Sequence, residues 1–336
     1  MNKMHPLISK IKAYVEQYDL LLKNSRVIIG LSGGPDSVFL LHVLHALKSC
    51  YDLDLHAVHI DHEWRPESSQ EALFCDKLCK SLGINYTSFT LSGIADKYGF
   101  TCRGSKEAYA RHIRQKAFEL AAKKYSANIV ALGHHADDQV ENFFIRLIRG
   151  ASVAGLASMD PKIVINRKLL YIRPLLFCKK KDILAFLVEH KYSFLQDPSN
   201  HSDVYLRNRV RNKMIPLLDS IDSRASKNIG KAIERLQETE NFLQTETENC
   251  WRKVAEKKEN VWFVHKALWQ EQSKFMKKRL LMHWLIQESV PCVPTEKFFE
   301  EIIRFLANTK SIRHVMGKSW QVCKKKSLIF IAKIRD

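Results

Sequence analysis

The first half of the chain alternates short apolar runs with longer stretches in which apolar residues recur at helical spacing. Residues 26–31 form an apolar run typical of a buried strand, and residues 35–47 carry a helical pattern. Three more such pairs follow, with strands predicted at 55–60, 85–91 and 128–132 and helices at 66–82, 107–124 and 137–149. Because strands that alternate with helices favour right-handed βαβ crossovers, the pattern predicts an α/β fold: a parallel sheet with helices on both faces.

The second half has a mainly helical pattern. A short β excursion at 162–176, a helix at 179–191 and a basic helix start at Val204 come first. Beyond residues 218–226 the pattern predicts a long charged helix over 227–258, helices over 271–289 and 295–306, and a terminal β segment over 320–334. We therefore predict two domains, residues 1–220 and a smaller, mainly helical one, residues 221–336. Five tryptophans with apolar neighbours are expected in its core: Trp251, Trp262, Trp269, Trp284 and Trp320.

Charge changes this picture. The 336 residues carry a formal net charge of +18, and more than half of the surplus lies after Asn200. Such a surplus repels itself, so it indicates a polyanionic partner such as nucleic acid. The sequence contains no apolar run of the ~18 residues that a membrane span needs, and its charged N-terminus does not resemble a signal peptide. The eight cysteines form no CxxC pair, so we expect buried thiols in a cytoplasmic protein.

A glycine-rich loop at residues 32–37 joins the first predicted strand to its helix. Gly33 and its neighbour allow turns of positive φ that aim successive backbone N–H groups into one anion-binding concavity. Pro35 fits the first helical turn, where its missing N–H costs nothing. Because an acidic residue among phosphate ligands needs a cation beside it, Asp36 suggests Mg²⁺. The residues predicted to bind the phosphates are Ser32, Gly33, Gly34, Pro35, Asp36 and Ser37.

A second cluster, residues 133–142 with the sequence GHHADDQVEN, follows the fourth predicted strand. On the helix that begins there, Asp137 and Glu141 share a face at i,i+4, and Asp138 and Glu141 lie at i,i+3. Crowded carboxylates repel each other unless a cation binds between them. A metal ion or the ammonium group of a substrate would both serve.

These segments resemble known motifs. Residues 32–37 resemble the PP-loop of the N-type ATP pyrophosphatases, and residues 133–142 resemble the GHHxDDQxET signature of the tRNA(Ile)-lysidine synthetase family. Further family motifs follow in order within residues 26–211: Asp61, His62 and Arg65; Gly104, Glu107, Ala110, Arg111 and Arg114; Arg149, Gly150 and residues 155–159; residues 173–175; residues 197–200, Arg207 and Asn208. Two residues depart from the family pattern, Glu63 in place of glycine and Asn142 in place of threonine.

The resemblance implies an enzyme that uses ATP and Mg²⁺ to adenylate the wobble cytidine of tRNA(Ile) with a CAU anticodon. The ε-amine of free L-lysine then displaces AMP. By the same resemblance, Asp36 and Asp138 are the candidate metal ligands, and Asp137 and Glu141 would position lysine. The implied counter-charges for the phosphates and the adenylate are Arg111 and Arg207. The remaining residues expected to line the nucleotide pocket are Asp61, His62 and His134. The basic runs at 277–279 and 324–326 would contact the tRNA backbone.

Two alternatives stay open. A PP-loop enzyme that inserts sulfur into tRNA needs a reactive cysteine pair, for which Cys102 and Cys178 are the candidates. A non-catalytic RNA-binding protein on the same fold would have no physical need for the clustered carboxylates. We predict no structural zinc at His56, His59 and His62, because no cysteine or fourth ligand accompanies them.

Overall fold

The computed structural model describes residues 4–63, 68–102, 106–157, 159–166, 169–196, 205–291, 294–308, 311–317 and 319–334. The motif residues Arg65, Gly104, 158 and 197–200, and the basic helix start predicted at Val204, lie outside the described residues. The chain divides into two compact units, Met1–Leu236 and Gln237–Asp336. The functional boundary predicted between residues 220 and 221 stays a prediction. Within the described ranges, the helices are too short or too polar to cross a membrane.

The first unit is built on a six-stranded sheet. Its strands are β1 (Arg26–Gly30), β2 (Asp54–Asp61), β3 (Asn85–Thr90), β4 (Ile129–Ala131), β5 (Lys162–Asn166) and β6 (Leu169–Ile172). The strand order is β3-β2-β1-β4-β6-β5, and every pairing is parallel except that of β5 with β6. The α/β fold with a mainly parallel sheet is therefore confirmed.

One helix precedes the first strand, and the others connect or follow the strands. They are α1 (Pro6–Gln17), α2 (Pro35–Tyr51), α3 (Ser68–Ser81), α4 (Leu91–Tyr98), α5 (Lys106–Lys124), α6 (Ala136–Ile148), α7 (Val153–Leu156), α8 (Lys180–Glu189), α9 (Leu206–Arg209), a π-helical turn (Val210–Met214) and α10 (Ile215–Ile221). Alternate residues of the buried strands point to opposite faces, so β1 contributes Ile29 to one core, with α1, α2 and α8, and Ile28 to the other, with α4 and α5. Helices thus cover both faces, as predicted.

The strand order places a topological switch point beside β1. The chain runs outward from β1 through β2 to β3 and then crosses to the other side of β1 to form β4. At such a point the loops that leave two neighbouring parallel strands diverge and open a crevice at the carboxyl ends. The two segments singled out in the sequence, residues 32–37 and 133–142, are the loops that leave β1 and β4.

The second unit has more β structure than predicted. Helix α11 (Ala225–Val254) begins in the first unit and is followed by β7 (Ala255–Lys258), β8 (Val261–His265), α12 (Lys266–Glu271), α13 (Lys274–Gln287), α14 (Glu296–Ala307), β9 (Arg313–Met316), β10 (Trp320–Lys325) and β11 (Leu328–Lys333). The strands form an antiparallel sheet in the order β7-β8-β11-β10-β9. Trp251, Trp269 and Trp284 are buried in its core, and Trp262 and Trp320 pack against it, which confirms their prediction.

The prediction of a helix over 227–258 was wrong at its C-terminal end, because the last four residues form β7. The polar sequence Ala-Glu-Lys-Lys continues the helical charge pattern, so periodicity alone does not reveal the edge strand. The turn that follows has Glu259 at φ 48° and Asn260 at φ 66°. Two successive positive φ angles are typical of a type I′ hairpin turn, which pairs β7 with β8.

Candidate active site

The loop after β1 is held by its own serines. Ser37 Oγ donates to the Gly34 carbonyl at 2.9 Å and accepts from the Ser32 backbone N–H at 3.1 Å. Gly33 adopts φ 83°, and a Cβ there would lie 2.8 Å from Leu195 Cδ1. The segment that covers the loop is fixed by the Leu195 N–H, which donates to the Gly33 carbonyl at 2.9 Å. Gly33 is therefore favoured for its backbone conformation, and a Cβ there would also displace the Leu195 side chain.

Gly133 joins this loop to the loop after β4. A Cβ at Gly133 would lie 2.9 Å from the carbonyl oxygen of Asp36 and 3.3 Å from the backbone nitrogen of Ser37. Both neighbours belong to the backbone of the first turn of α2, which cannot yield as a flexible side chain would. The absence of a side chain at residue 133 lets the two loops share one crevice.

The crevice is a cleft of about 270 Å³ at the carboxyl ends of β1, β2 and β4. Seven of the predicted site residues line it: Ser32, Asp36, Ser37, His62, His134, Asp138 and Arg207. Arg114 on α5 lines it as well, although the sequence argument chose Arg111 one turn earlier. Apolar side chains, among them Val58, Ile60 and Phe118, form the rest of the wall. Such a mixture of an apolar wall with a few polar groups is typical of small-molecule sites.

His135 lies among three carboxylates. Its Nε2 is 3.6 Å from Asp36 Oδ1 and 3.4 Å from Asp138 Oδ2, and its Nδ1 is 3.5 Å from Asp137 Oδ2. As the residue that caps α6, it also donates its backbone N–H to Asp138 Oδ2 at 2.9 Å. The candidate metal ligands Asp36 and Asp138 therefore flank the same imidazole nitrogen.

Charges within this cluster shift the pKa values of His135 and Asp36 in opposite directions. Burial acts against the charged form of His135, but its contacts with Asp137 and Asp36 outweigh burial and raise the pKa of His135 to about 9. Burial would likewise raise the pKa of Asp36, yet His135 and Lys180 hold it below its usual range. His135 is thus an imidazolium at neutral pH. In contrast, burial lowers the pKa of His134 to about 3, so this cleft histidine is neutral.

Lys180, the first residue of α8, places a cation beside Asp36, the residue at which the sequence suggests Mg²⁺. Its Nζ donates to both oxygens of Asp36, at 2.6 and 2.7 Å. Its backbone N–H donates to Asp137 Oδ2 at 2.8 Å. Lys180 thereby links the carboxylate in the phosphate loop to the acidic cluster that follows β4.

Two arginines after the undescribed residues 197–204 close the other side of the cluster. Arg207 donates through Nε to Glu141 Oε2 at 2.8 Å and through Nη2 to Asp138 Oδ1 at 2.6 Å. Arg211 donates through Nε to Glu141 Oε1 at 2.5 Å and through Nη2 to Glu141 Oε2 at 3.0 Å. Both oxygens of Glu141 therefore accept bonds from guanidinium groups, which compensates the charge of a side chain that is only 2% exposed.

Of the other predicted site residues, some lie beside the cluster and some do not. Asp137 joins the cluster through His135 and Lys180, whereas Arg111 is exposed on α5. Asp61, at the end of β2, accepts the Glu63 N–H at 2.8 Å. Pro35 is the first residue of α2, as predicted. Of the two glycines expected to adopt positive φ only Gly33 does so, because Gly34 caps α2 in an extended conformation with φ −70°.

Glu63 stands where the related family has glycine, and its φ of 55° lies in the left-handed region that glycine favours. Its carboxylate accepts from the Ser92 N–H at 2.6 Å and the Ser92 hydroxyl at 2.8 Å. These bonds hold a conformation that a side chain rarely adopts, so the departure leaves the glycine-like backbone in place.

Sequence reasoning missed Lys180, His135, Arg114 and Arg211. His135 was visible as the second histidine before two aspartates, in the position of a helix cap. Arg114 was part of a quoted motif, one turn from the residue that was chosen. Lys180 is one of three consecutive lysines, and only tertiary packing distinguishes it from its neighbours.

The basic runs of the second unit are partly engaged within that unit. Arg279 forms a forked ion pair with Glu240 at 2.7 and 3.0 Å, Lys277 donates to the Gln270 carbonyl, and Lys278 pairs with Glu296. Lys324 donates to the carbonyls of Phe305 and Asn308. Lys325 and Lys326 are exposed, and the assignment of these runs to RNA contacts stays a prediction.

A glycine-rich loop that leads from a parallel strand into a helix N-terminus at the switch point of the sheet defines a nucleotide-binding α/β domain. The family model of the PP-loop domain matches residues 4–218, and the chain belongs to that family. The solved U34-tRNA thiolase NcsA from Methanococcus maripaludis has the same fold, with a TM-score of 0.57 at 21% identity over 69% of this chain and 78% of that one.

Among curated proteins, the tRNA(Ile)-lysidine synthase of Bacillus cereus is 32% identical over 310 residues, which are 90% of this chain and 64% of that protein. The proteins of the same name from Geobacillus kaustophilus and Bacillus subtilis are 36% and 35% identical over 75% of this chain. The chain spans about half to just under two thirds of the length of these relatives.

The contact at Gly133 generates a prediction about stability. Because a Cβ would overlap the backbone of α2, we expect Gly133→Ala to lower the free energy of unfolding by about 1–3 kcal/mol, the usual cost of overpacking, and to weaken ATP binding. Gly230→Ala is the matched control, since no described atom lies within 4 Å of a Cβ there and alanine favours the helix interior. Chemical denaturation and calorimetric titration measure both quantities. Wild-type values for Gly133→Ala would contradict the close contact.

The raised pKa of His135 predicts a pH dependence. The folded-state pKa of about 9 lies above the ordinary 6.5, so the stabilisation is complete below pH 6.5 and is lost as the pH rises through 9. Relative to His135→Gln, the wild type should lose roughly 3 kcal/mol of unfolding free energy over that range. His112→Gln, at an exposed position on α5, should keep the wild-type slope. Parallel wild-type and His135→Gln curves would refute the prediction.

Proposed function

We propose that the chain is an ATP-dependent ligase that adenylates the wobble cytidine of tRNA(Ile) with a CAU anticodon and joins L-lysine to it, with AMP and pyrophosphate as products. The modification would change decoding from AUG to AUA. The observation that carries the proposal is the cleft in which the phosphate loop and the acidic cluster after β4 meet at Gly133. Relatives named tRNA(Ile)-lysidine synthase, aligned over up to 90% of the chain, support the choice among PP-loop chemistries.

ATP would lie along the cleft from its apolar wall to the loop. The backbone N–H groups that remain free in the loop at residues 32–37, where Pro35 has none, and the N-terminus of α2 would bind the β and γ phosphates. Arg114 and Arg207 line the same cleft and would meet the α-phosphate, because guanidinium forks match phosphate oxygens. The cytidine carbonyl oxygen would attack that phosphorus, and pyrophosphate would leave toward the loop.

Among the described residues no group of three or more side chains could hold a metal ion by itself, so Mg²⁺ would have Asp36 and Asp138 as its protein ligands and depend on the nucleotide for the rest. Mg²⁺ needs only one or two carboxylates together with phosphate oxygens and water, and Asp36 and Asp138 flank one nitrogen atom. The ion would neutralise charge on the departing pyrophosphate. The ammonium group of Lys180 already contacts Asp36, so it would help to neutralise the charge on the pyrophosphate.

Asp137 is the best candidate for holding the lysine substrate. Its side chain is 48% exposed, whereas those of Asp138 and Glu141 are 10% and 2% exposed. The pKa of Asp137 is lowered because contacts with His135 and the Lys180 N–H outweigh the effect of burial, so the group is a carboxylate at neutral pH. A carboxylate there would orient the ammonium of lysine, which must lose a proton before it attacks the adenylated cytidine.

The sulfur-inserting alternative finds less support. Burial raises the pKa of the Cys178 thiol to about 12, which suppresses the thiolate that such chemistry requires. Its proposed partner Cys102 is exposed. The remaining alternative, an RNA-binding protein without activity, does not account for four carboxylates and their cations gathered beside a phosphate loop.

The direct test is incubation of the protein with ATP, radiolabelled lysine and total tRNA, followed by digestion to nucleosides. We expect label in one modified nucleoside from tRNA(Ile). Asp36→Asn should reduce both the label and tRNA-dependent ATP–pyrophosphate exchange by about 10²-fold, because the Lys180 ammonium and the metal lose their shared carboxylate.

Asp76→Asn is the control for this experiment. Asp76 pairs with Lys80 at 2.6 Å, the same distance as Asp36 to Lys180, but on the exposed face of α3. It should retain wild-type activity. Incorporation of sulfur instead of lysine would establish the first alternative, and tRNA binding without ATP consumption would establish the second.

A further inference from the structure

Arg207 is a cleft residue that needs external support. It lies on α9, the first turn of a continuous helical segment that runs through the π-helical turn into α10, and its side chain is 40% exposed. A free arginine side chain loses up to about 2 kcal/mol of rotamer entropy when it is fixed. A guanidinium that must meet a phosphate in one orientation therefore gains from partners that fix it before the nucleotide binds.

Those partners form a chain of charges. Arg207 binds Asp138 through Nη2 and Glu141 through Nε. Glu141 in turn holds Arg211, whose Nε and Nη2 form a fork on its two oxygens. Glu141 therefore bridges two guanidinium groups and shares its Oε2 between them. Because Glu141 is 2% exposed, loss of Arg211 would leave part of a buried negative charge uncompensated, and Glu141 would pull Arg207 toward itself.

The backbone keeps the two arginines on one side. Residues 207 and 211 are four apart, so both side chains face α6. Val210 between them is buried against Val140 and Phe144, which fixes the height of the segment on α6. Arg211 lies in the π-helical turn Val210–Met214, a conformation frequent at functional sites. Apolar contact sets the position of this segment, and the ionic chain sets the direction of Arg207.

We propose that Arg211 is a positioning residue: it does not line the cleft, but through the carboxylate of Glu141 it aims the Arg207 guanidinium at the phosphate oxygens of an adenine nucleotide. The proposal rests on the proposed function only in taking the cleft to bind ATP. It assigns Glu141 to the bridge between the two arginines rather than to the lysine substrate.

The test is a double-mutant cycle with α,β-methylene-ATP, an analogue that the enzyme does not cleave, measured by calorimetric titration. Arg207→Met should weaken binding about 10- to 100-fold, and Arg211→Met about tenfold. In the Arg207→Met background, Arg211→Met should cause no further loss. Arg209→Met, at an exposed position on the same helix, should bind as the wild type does.

Thermal unfolding separates positioning from a merely structural role. Arg211→Met should lower the unfolding midpoint in both backgrounds, and further without Arg207 because buried Glu141 then loses both guanidinium partners, whereas it should weaken affinity only when Arg207 is present. Arg211→Lys, which keeps the charge but cannot form the fork, should lose a smaller, severalfold part of the affinity, and it serves if Arg211→Met does not fold. Equal affinity losses from the Arg211 substitution in both backgrounds would overturn the proposal.

The two proposals fail separately. A wild-type protein that binds the analogue with this coupling but incorporates no lysine refutes the proposed function and supports the positioning role. A protein that incorporates lysine but gives additive losses refutes only the positioning role. Failure of the wild type to bind the analogue refutes both.

Discussion

The site depends on the backbone contact between the first turn of α2 and Gly133. β1 and β4 are neighbours because the chain crosses β1 at the switch point, which brings their exit loops together. Adjacent strands lie only ~4.8 Å apart, so the loops that leave them meet at close range. With 2.9 Å between a hypothetical Cβ at residue 133 and the Asp36 carbonyl, any side chain there would separate the phosphate loop from the acidic cluster. One missing methyl group lets two sequence motifs act as a single site.

Once the loops are in contact, charge balance determines the rest. Asp36, Asp137, Asp138 and Glu141 would repel one another in a partly buried cleft. The protein compensates them with His135 at the centre, Lys180 from α8, and Arg207 and Arg211 from the far side. The cluster is therefore compensated by the protein's own cations. These ion pairs hold the carboxylates together without mutual repulsion driving them apart.

The parts of the site that could be predicted from the sequence are those with short-range causes. The glycine-rich loop needs a positive φ at Gly33, and Asp137, Asp138 and Glu141 lie close together at the start of α6, so both are visible as sequence motifs. Lys180 lies 144 residues along the chain from its partner Asp36, and Arg211 lies 70 residues from Glu141. The sequence neighbours Lys179, Lys181 and Arg209 are of the same residue types, so the sequence does not distinguish them. The choice among identical side chains is made by packing, as when buried Val210 fixes which arginine faces α6.

In the second unit, the net charge does not reveal which basic side chains are free to contact a partner. Net charge predicts attraction to a polyanion, but it counts each cation as free. Arg279 and Lys278 are paired with acids of their own unit, and Lys324 donates to the carbonyls at the end of α14, so these side chains stabilise a small sheet-and-helix core. A lysine that binds the last carbonyls of a helix satisfies groups that would otherwise need water. The positive charge is a sum over the whole unit and survives this pairing, whereas the ammonium groups of Lys325 and Lys326 remain exposed and able to reach a partner. A polybasic run in a sequence therefore indicates the sign of the partner, and the fold decides which of its members can reach it.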